Sequence, residues 1–426
     1  MPARKRALFV LIPMAAVLVG SVPVPSPAAG SSIPIDHVVV LMQENRSFDS
    51  YLGQLHYEGQ PKAEAEPSGA SNPDPTNPGA KIKNFHKTNY CEVADLDHSW
   101  NGAHTEYDNG KMDGFTAANV NSADPSGSRT MGWYDTKDLP YYYGLYSTFA
   151  TSDRYFSSVL SQTFPNRFYL LAGTSFGHIR NDLPDPNGFT QKTIFEELDA
   201  AGISWKIYYS EIAFALEFKY VRDHAAGHVF PIQQYYTDAA NGALPQVSYV
   251  DPIFEGQADV ENDEHPPSNI QVGEQFVSQV VGALFQSPNW TSSALFLTYD
   301  ENGGFYDHRP PPAAVLPDDI PPMLEPGDAL GAFDRYGFRV PAVVISPYSR
   351  AHFVSHVVDD HTSILRFIET RFGLASLTAR DAAADPMLGF FDFSHQSFAT
   401  PPTLPTAPLD PVQYALCLSA PPNGGV

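Results

Sequence analysis

Two short apolar runs in the sequence each end abruptly in adjacent polar side chains. Val38 to Met42 is an apolar, β-branched run, and Gln43-Glu44-Asn45 follows it directly. The second run, Ala294 to Tyr299, is followed by Asp300-Glu301 and then by Gly303-Gly304. Such runs are typical of strands buried in a parallel sheet. Because the carboxyl ends of parallel strands meet at one edge, where open α/β sheets bind ligands, we expect the two polar endings to lie together there.

The other periodic segments alternate between helix and strand. The sequence predicts helices over residues 189–202, 272–285 and 361–372, and further strands over residues 204–209 and 340–346. Strands that alternate with helical segments indicate an α/β fold with a mostly parallel central sheet flanked by helices.

Thr163 is predicted to lie at the start of a helix. Pro165 stands just inside an apolar-periodic segment, where proline is favoured in the first helical turn. This spacing puts Thr163 at or immediately before the helix N-terminus, where free N–H groups and the helix dipole favour an anion. An ordinary N-cap role for Thr163 explains the same pattern, and the two readings are compatible.

The chain divides into a leader, a large domain and a tail. Residues 1–29 combine the basic segment Arg4-Lys5-Arg6, an apolar run and small residues, as expected of a secretory signal peptide. We therefore expect a secreted, periplasmic or cell-envelope protein without an integral membrane segment in its mature form. Residues 30–400 are expected to form the catalytic domain, with a long insertion at about 54–150 over the ligand edge of the sheet. Residues 401–426 form a proline-rich C-terminal tail.

The composition excludes some partners and suggests one covalent link. The formal net charge is -23, and loss of residues 1–29 would remove three positive charges and no negative ones. So acidic a chain is not expected to bind nucleic acid, and we expect a monomer. Because the chain is expected to enter an oxidising compartment, we predict that its two cysteines, Cys91 and Cys417, form a disulfide. Two unpaired thiols are the alternative.

The polar strand endings and Thr163 suggest a metal site. Two carboxylate-bearing endings and a hydroxyl make an all-oxygen donor set that suits one hard divalent cation. The predicted ligands are Glu44, Asn45, Thr163, Asp300 and Glu301. Capping of the next helix by Glu44 and Asn45 is the simpler explanation of the first ending taken alone. His98 lies in a loop beside Asp95 and Asp97, where a histidine is commonly just solvated.

Four ordered motifs resemble a known family. They are Glu44-Asn45-Arg46-Ser47-Phe48-Asp49, Thr163-x-Pro165-Asn166-Arg167, Glu264-His265-Pro266-Pro267, and Asp300-Glu301-x-Gly303-Gly304-Phe305-Tyr306-Asp307-His308. Together, over residues 35–372, they resemble the bacterial phosphoesterase family that contains non-specific phospholipases C and a group of acid phosphatases. The resemblance implies an alkaline-phosphatase-like three-layer α/β/α fold and hydrolysis of phosphoric esters through a phosphorylated enzyme.

The resemblance also implies roles for individual residues. Thr163 is the nucleophile, and the five residues proposed as ligands bind one divalent ion, which is Ca²⁺, Mg²⁺, Mn²⁺ or Zn²⁺. Asn45, His98 and His265 contact the phosphate, and His265 is the expected proton donor to the leaving oxygen. Apart from the resemblance, His308 and His361 are weaker candidates for contact with the substrate; for each, a supporting role behind the ligands is the alternative.

The substrate is less constrained than the reaction. Asn302 stands where many of the phospholipases have histidine, and the chain ends soon after the catalytic region, whereas Thr163 fits the phospholipases. A phospholipid and a soluble phosphomonoester both remain open. A sulfatase-like hydrolase is an alternative with the same architecture, although threonine cannot become the formylglycine of sulfatases. A catalytically inactive protein that binds a phosphate-bearing ligand is the alternative of a different class.

Overall fold

A computed structural model describes residues 33–256 and 260–419. The predicted signal peptide, residues 1–29, lies outside the described residues, as does the end of the predicted tail. Within the described part of the chain, no helix has the length and apolar character needed to cross a membrane.

Most of the strands form one large sheet. In chain order the strands are β1 His37–Gln43, β2 Ser71–Pro73, β3 Lys81–Lys83, β4 Phe85–His86, β5 Gly132–Trp133, β6 Ala150–Ser152, β7 Trp205–Tyr209, β8 Val229–Pro231, β9 Val247–Asp251, β10 Ser293–Tyr299, β11 Ala342–Ile345 and β12 Val354–Ser355. The large sheet has the order β12-β6-β11-β10-β1-β9-β7-β8. Only β11 runs antiparallel to its two sheet neighbours.

The two polar strand endings lie on adjacent central strands. β1 and β10 are parallel neighbours whose register pairs His37 with Ser293 and Gln43 with Tyr299. Every residue of β10 and all but His37 of β1 are buried. Since side chains alternate between the two faces of a strand, complete burial shows that both faces of the sheet are covered. The predicted α/β fold with a mostly parallel central sheet is confirmed.

The α-helices surround this sheet. They are α1 Phe48–Leu52, α2 Trp100–Tyr107, α3 Phe115–Ala118, α4 Pro140–Thr148, α5 Thr163–Ala172, α6 Ile194–Ala200, α7 Lys219–Asp223, α8 Ile232–Ala240, α9 Ile270–Phe285, α10 His361–Phe372, α11 Ala379–Ala383 and α12 Pro411–Cys417. α5 packs with α6 and α10, and α9 packs with α4 and α8. The predicted helix over 189–202 is shorter in the structure, because Thr193 caps its N-terminus through a reciprocal pair of hydrogen bonds with Glu196.

The insertion and the tail are joined covalently. Between α1 and β6 the chain forms only short strands and helices, and the tail carries α12 after its proline-rich stretch. A disulfide links Cys91 of the insertion to Cys417 in α12, across 326 residues of sequence. The predicted disulfide is therefore present.

Candidate active site

The polar endings of β1 and β10 are hydrogen-bonded to each other. The backbone N–H of Asn45 donates to Asp300 Oδ1 at 3.0 Å, and the N–H of Arg46 donates to the Glu301 carbonyl at 3.1 Å. Asp300 Oδ1 also accepts from the N–H of Glu301 at 2.8 Å. These bonds fix the two acids of the second ending against the first, and they leave Asp300 Oδ2 without a hydrogen bond.

Gly303 permits this close approach. Its φ is +60°, and a Cβ atom built on it would lie 2.3 Å from the carbonyl oxygen of Asn45. Only glycine avoids both the left-handed backbone penalty and this clash. The Gly303 N–H also donates to Glu301 Oε2 at 2.7 Å, which orients that carboxylate.

Thr163 is the first residue of α5 and opens into a cavity. Gln162 precedes it as the N-cap, and the next backbone N–H, that of Phe164, is bound by Asn181 Oδ1 at 2.8 Å. Thr163 is 1% exposed. Together with Glu44 it lines a cavity of about 460 Å³. The structure thus brings the predicted nucleophile and one predicted ligand to the same space.

The five predicted metal ligands share one property. Each presents a buried side-chain oxygen that accepts no hydrogen bond within the described part of the chain: Glu44 Oε2, Asn45 Oδ1, Thr163 Oγ1, Asp300 Oδ2 and Glu301 Oε1. Buried polar atoms normally have partners, and oxygens that accept no hydrogen bond from the protein are free to coordinate a cation. Oxygen donors with three carboxylates fit a hard divalent cation. The residues present therefore fit the ion that the sequence suggested.

Burial and charge repulsion in the site support the same conclusion. Burial raises the pKa of the Glu44 carboxyl well above its ordinary value, and Asp300 raises it further. Burial and then Asp300 also raise the pKa of Glu301. Neighbouring carboxylates that are costly to ionise together become stable as anions when a cation lies among them.

Arg167 is a residue whose role the sequence analysis missed. Its Nη2 atom lies 3.0 Å from Glu44 Oε1, and its Nε atom lies 3.7 Å from Asp300 Oδ2. The guanidinium is buried over the ring of Phe254, 4.7 Å from its centroid. Arg167 follows Thr163 by four residues on α5, so the two side chains share one face of the helix. The four-residue spacing of Thr163 and Arg167 is the signal in the sequence that could have identified Arg167 as a site residue.

His98 and His265 form a pair beside these acids. Their ring centroids are 5.5 Å apart. In each ring Nδ1 lies within hydrogen-bond distance of a backbone carbonyl, that of Leu96 for His98 at 2.9 Å and that of Pro266 for His265 at 2.6 Å. If both Nδ1 atoms carry the proton, both Nε2 atoms remain available for a ligand. Burial lowers the pKa of His265 despite the nearby Asp95.

Asp95 is a second residue without a predicted role. Its Oδ2 atom lies 3.8 Å from both His98 Nδ1 and His265 Nε2. Asp95, His98 and His265 form one of three groups of His and Asp side chains, among the described residues, whose ligand atoms lie within 4.8 Å of one another. The other two are Asp49 with Asp307 and His308, and His86 with Asp135 and Asp138. Glu44, Asp300 and Glu301 do not belong to any of these three groups. Arg167 lies against Glu44 and Asp300.

The two remaining histidines have firm structural partners. His308 Nδ1 lies 2.7 Å from Asp49 Oδ2, next to the buried Arg339, which also binds Asp49 and Asp307. His361 Nε2 lies 2.7 Å from the Asp300 carbonyl and its Nδ1 3.2 Å from the Tyr155 hydroxyl. Burial lowers the pKa of His361 to about 3, so it is neutral and supports the end of β10. The structure places His308 in the Asp49 cluster rather than with His98 and His265.

Comparison with known proteins agrees with this arrangement of motifs. The model of the Phosphoesterase family matches residues 35–375. The chain belongs to the Phosphoesterase family. It is a hydrolase of phosphoric ester bonds.

Named relatives of this phosphoesterase are phospholipases C. It is 34% identical to phospholipase C B of Mycobacterium tuberculosis, over 89% of this chain and 81% of that protein. It is also 34% identical to non-specific phospholipase C1 of Arabidopsis thaliana, over 84% and 71% of the two chains. Among solved structures, it is similar to a protein of the alkaline phosphatase superfamily from Vibrio parahaemolyticus, with a TM-score of 0.37, 10% identity, and 75% and 72% coverage.

Proposed function

We propose that this phosphoesterase is a secreted, metal-dependent hydrolase of the phospholipase C type that works through a phosphothreonine at Thr163. The observation that carries the proposal is the set of five orphaned oxygens, which belong to two adjacent strand ends and one helix start. The names of its relatives favour a phospholipid substrate over a soluble phosphomonoester.

The residues of the site account for the first half of the reaction. Glu44, Asn45, Thr163, Asp300 and Glu301 would hold one divalent cation, which lowers the pKa of the Thr163 hydroxyl and offsets negative charge on the phosphoryl group when it is bound. Thr163 Oγ attacks phosphorus, a Thr163–phosphorus bond forms, and the bond to the departing alcohol oxygen breaks. The N-terminus of α5 favours the negative charge that collects at Thr163.

The histidine pair accounts for proton transfer. With Nδ1 held by the Pro266 carbonyl, His265 directs Nε2 toward His98 and Asp95, where the phosphoryl group would lie. Protonated His265 donates its Nε2 proton to the departing oxygen, and neutral His265 then accepts a proton from the water that hydrolyses the phosphothreonine. Asn45 Nδ2 donates a hydrogen bond to a non-bridging oxygen. Because His98 Nδ1 is bonded to the Leu96 carbonyl, His98 donates to a second one from Nε2 as an imidazolium.

The decisive experiment compares wild type with Thr163→Ala and Thr163→Ser. Hydrolysis of p-nitrophenyl phosphate and of phosphatidylcholine in micelles is measured side by side, with and without EDTA and after return of Mn²⁺, Ca²⁺ or Mg²⁺. We expect Thr163→Ala to lose activity by on the order of 10³-fold or more, Thr163→Ser to retain part of it, and EDTA to abolish it reversibly. Mass spectrometry of acid-quenched turnover of p-nitrophenyl phosphate should find a phosphate on the peptide that contains Thr163.

Other results would favour the alternatives. Activity that survives both prolonged chelation and Thr163→Ala would overturn the site. Phosphate binding without turnover by the metal-loaded wild type would favour an inactive binding protein. Cleavage of p-nitrophenyl sulfate in preference to the phosphate would favour a sulfatase.

A further inference from the structure

A second group of potential metal ligands lies in the insertion, on elements that carry none of the five proposed active-site ligands. It consists of His86, Asp135 and Asp138, whose ligand atoms lie within 4.8 Å of one another. His86 ends β4, and the two aspartates follow β5, the strand that pairs with β4. His86 and Asp138 are 52 positions apart in the sequence, so the strand pairing brings two distant segments of the insertion together here.

The distances within this group suit the coordination of one ion. His86 Nε2 lies 2.7 Å from Asp138 Oδ2 and 3.9 Å from Asp135 Oδ2. Ligand atoms that each stand about 2.0–2.2 Å from a zinc ion are roughly 3–4 Å from one another. The three atoms are therefore near the spacing that they would have around a single ion, and a water molecule can complete a tetrahedral set.

Each aspartate is held by the protein so that its other oxygen lies near His86. Asp135 Oδ1 accepts a hydrogen bond from the Lys137 N–H at 2.7 Å, and Asp138 Oδ1 accepts one from the Tyr90 hydroxyl at 2.9 Å. Asp135 is only 9% exposed, yet its Oδ2 atom accepts no hydrogen bond from the residues that the structure describes. A buried carboxylate oxygen that is oriented in this way and lacks a donor is a free ligand position.

The negative charge of this group is not balanced by the protein. Asp135 and Asp138 are both buried, and no lysine or arginine of the described segments lies within ion-pair distance of either carboxylate. The cluster of Asp49 and Asp307 differs, because Arg339 supplies a positive charge to both. Even a protonated His86 would leave one negative charge uncompensated. Because buried anions need a counterion, a divalent cation fits this group better than a proton does.

The position of the group gives an ion both an entrance and a structural task. The His86 side chain is 35% exposed, so an ion can reach Nε2 from solvent. The Asp138 carbonyl accepts a hydrogen bond from Gln271 Nε2 of α9 at 2.8 Å, and the Tyr90 carbonyl accepts one from the Ile270 N–H at 3.0 Å. An ion bound here would therefore fasten the insertion where it contacts the start of α9.

We propose that His86, Asp135 and Asp138 bind a structural divalent cation of the zinc type, separate from the ion of the active site. An imidazole ligand favours Zn²⁺ over Ca²⁺ and Mg²⁺, which bind mainly through oxygen. The ion stabilises the insertion and takes no part in hydrolysis, so the inference is independent of the role of Thr163. An ion pair between protonated His86 and Asp138 is the competing explanation of the same geometry.

The test measures bound zinc in a protein whose proposed active site is disabled. Metal-free Asp300→Asn/Glu301→Gln is titrated with Zn²⁺, and the bound metal is measured by elemental analysis after gel filtration. We expect this parent to bind one Zn²⁺ per chain that is lost when His86→Gln is added, with affinity lowered by on the order of 100-fold or more. His56→Gln is the matched control, because it removes another histidine of the insertion, one held by the Ala63 carbonyl at 2.9 Å, and it should leave zinc binding unchanged.

A second measurement distinguishes a bound ion from an ion pair. Zn²⁺ should raise the unfolding temperature of the parent and should not raise that of the variant with His86→Gln. His86→Lys retains a positive charge beside Asp138 but removes the imidazole, so it should stay folded and lose the zinc ion. Equal zinc binding by the parent and by the variant with His86→Gln would overturn the site. A parent that Zn²⁺ does not stabilise, with His86→Lys as stable as that parent, would establish the ion pair instead, and neither result would affect the assignment of Thr163.

Discussion

The Asn45 N–H donates a hydrogen bond to Asp300 Oδ1 at 3.0 Å, which joins the ends of β1 and β10 directly. One oxygen of Asp300 thus has a structural task, while Oδ2 is left without a hydrogen bond. The two tasks can be separated by substitution, because an amide retains the acceptor but loses the charge.

Asp300→Asn should therefore impair metal binding more than folding. Asn keeps an oxygen for the Asn45 N–H, whereas the site loses one of three carboxylates, so we expect affinity for Mn²⁺ to fall by roughly 100-fold or more. Calorimetric titration gives the affinity, and thermal unfolding of the metal-free protein gives the stability. Asp300→Ala is the control, and both its Mn²⁺ affinity and its thermal stability should fall. Unchanged Mn²⁺ affinity in Asp300→Asn would remove Asp300 from the ligand set.

Arg167→Met should destabilise the metal-free protein and make its stability depend on added metal. The guanidinium offsets the buried carboxylates Glu44 and Asp300. Its loss leaves them uncompensated, at a cost of about 3 kcal/mol in the free energy of unfolding. Denaturant unfolding with and without Mn²⁺ measures this, and Mn²⁺ should restore more stability to Arg167→Met than it adds to wild type. Arg167→Lys keeps the charge, so its free energy of unfolding should lie between those of wild type and Arg167→Met. Equal stability of wild type and Arg167→Met without metal would contradict the prediction.

His265→Asn should affect poor leaving groups much more than good ones. An alkoxide must be protonated as it departs, whereas p-nitrophenolate leaves readily without a proton. We expect kcat to fall by on the order of 100-fold for an alkyl ester and by much less for p-nitrophenyl phosphate. His98→Asn, the comparison variant, should slow both substrates alike. Equal losses in His265→Asn would show that His265 binds phosphate and does not donate the proton.

The same role of His265 predicts the direction of the pH dependence. Burial lowers its pKa, so the protonated donor is present only at acidic pH. For wild type acting on an alkyl ester, the rate should decline as pH rises through a value below the ordinary histidine pKa of about 6.5. This decline should be missing from the pH profile of His265→Asn.

His308→Gln should lose stability in a pH-dependent way. Burial opposes the charge on His308, but Asp49 and Glu64 outweigh it and raise its pKa to about 9. The folded state therefore gains stability from protonated His308, fully below the unfolded pKa of about 6.5, and this gain disappears as pH rises through about 9. We expect wild type to exceed His308→Gln by about 2–3 kcal/mol at pH 6 and by little at pH 10. Urea unfolding at several pH values measures the difference, which should not change with pH if folding leaves the pKa of His308 at its unfolded value.

The sequence predicted the elements whose signals are local. α10 matches its predicted bounds, because Asp360 caps its start and Gly373, with φ of 69°, ends it. β1 and β10 were recognisable as continuous apolar runs. β9, at Val247–Asp251, was missed because it is short and carries no long apolar run.

The part of the site that was missed is the part that depends on distant contacts. Arg167 and Glu44 are 3.0 Å apart but separated by 123 positions along the chain, and Arg167 also donates to the Met42 carbonyl of β1 at 3.2 Å, so tertiary structure brings them together. Asp95 likewise reaches His265 from the insertion. In contrast, the five proposed ligands stand at ends of elements, where a change from apolar to polar residues marks them in the sequence.

The contact between Gly303 and the Asn45 carbonyl also has a consequence for judging distant relatives. A protein with all five oxygen-bearing residues but an alanine at the position of Gly303 would pass a residue-by-residue comparison of ligands. Its extra methyl group would nevertheless push the two strand ends apart. Replacement of this glycine therefore predicts a loss of activity even in a relative that retains all five ligand residues.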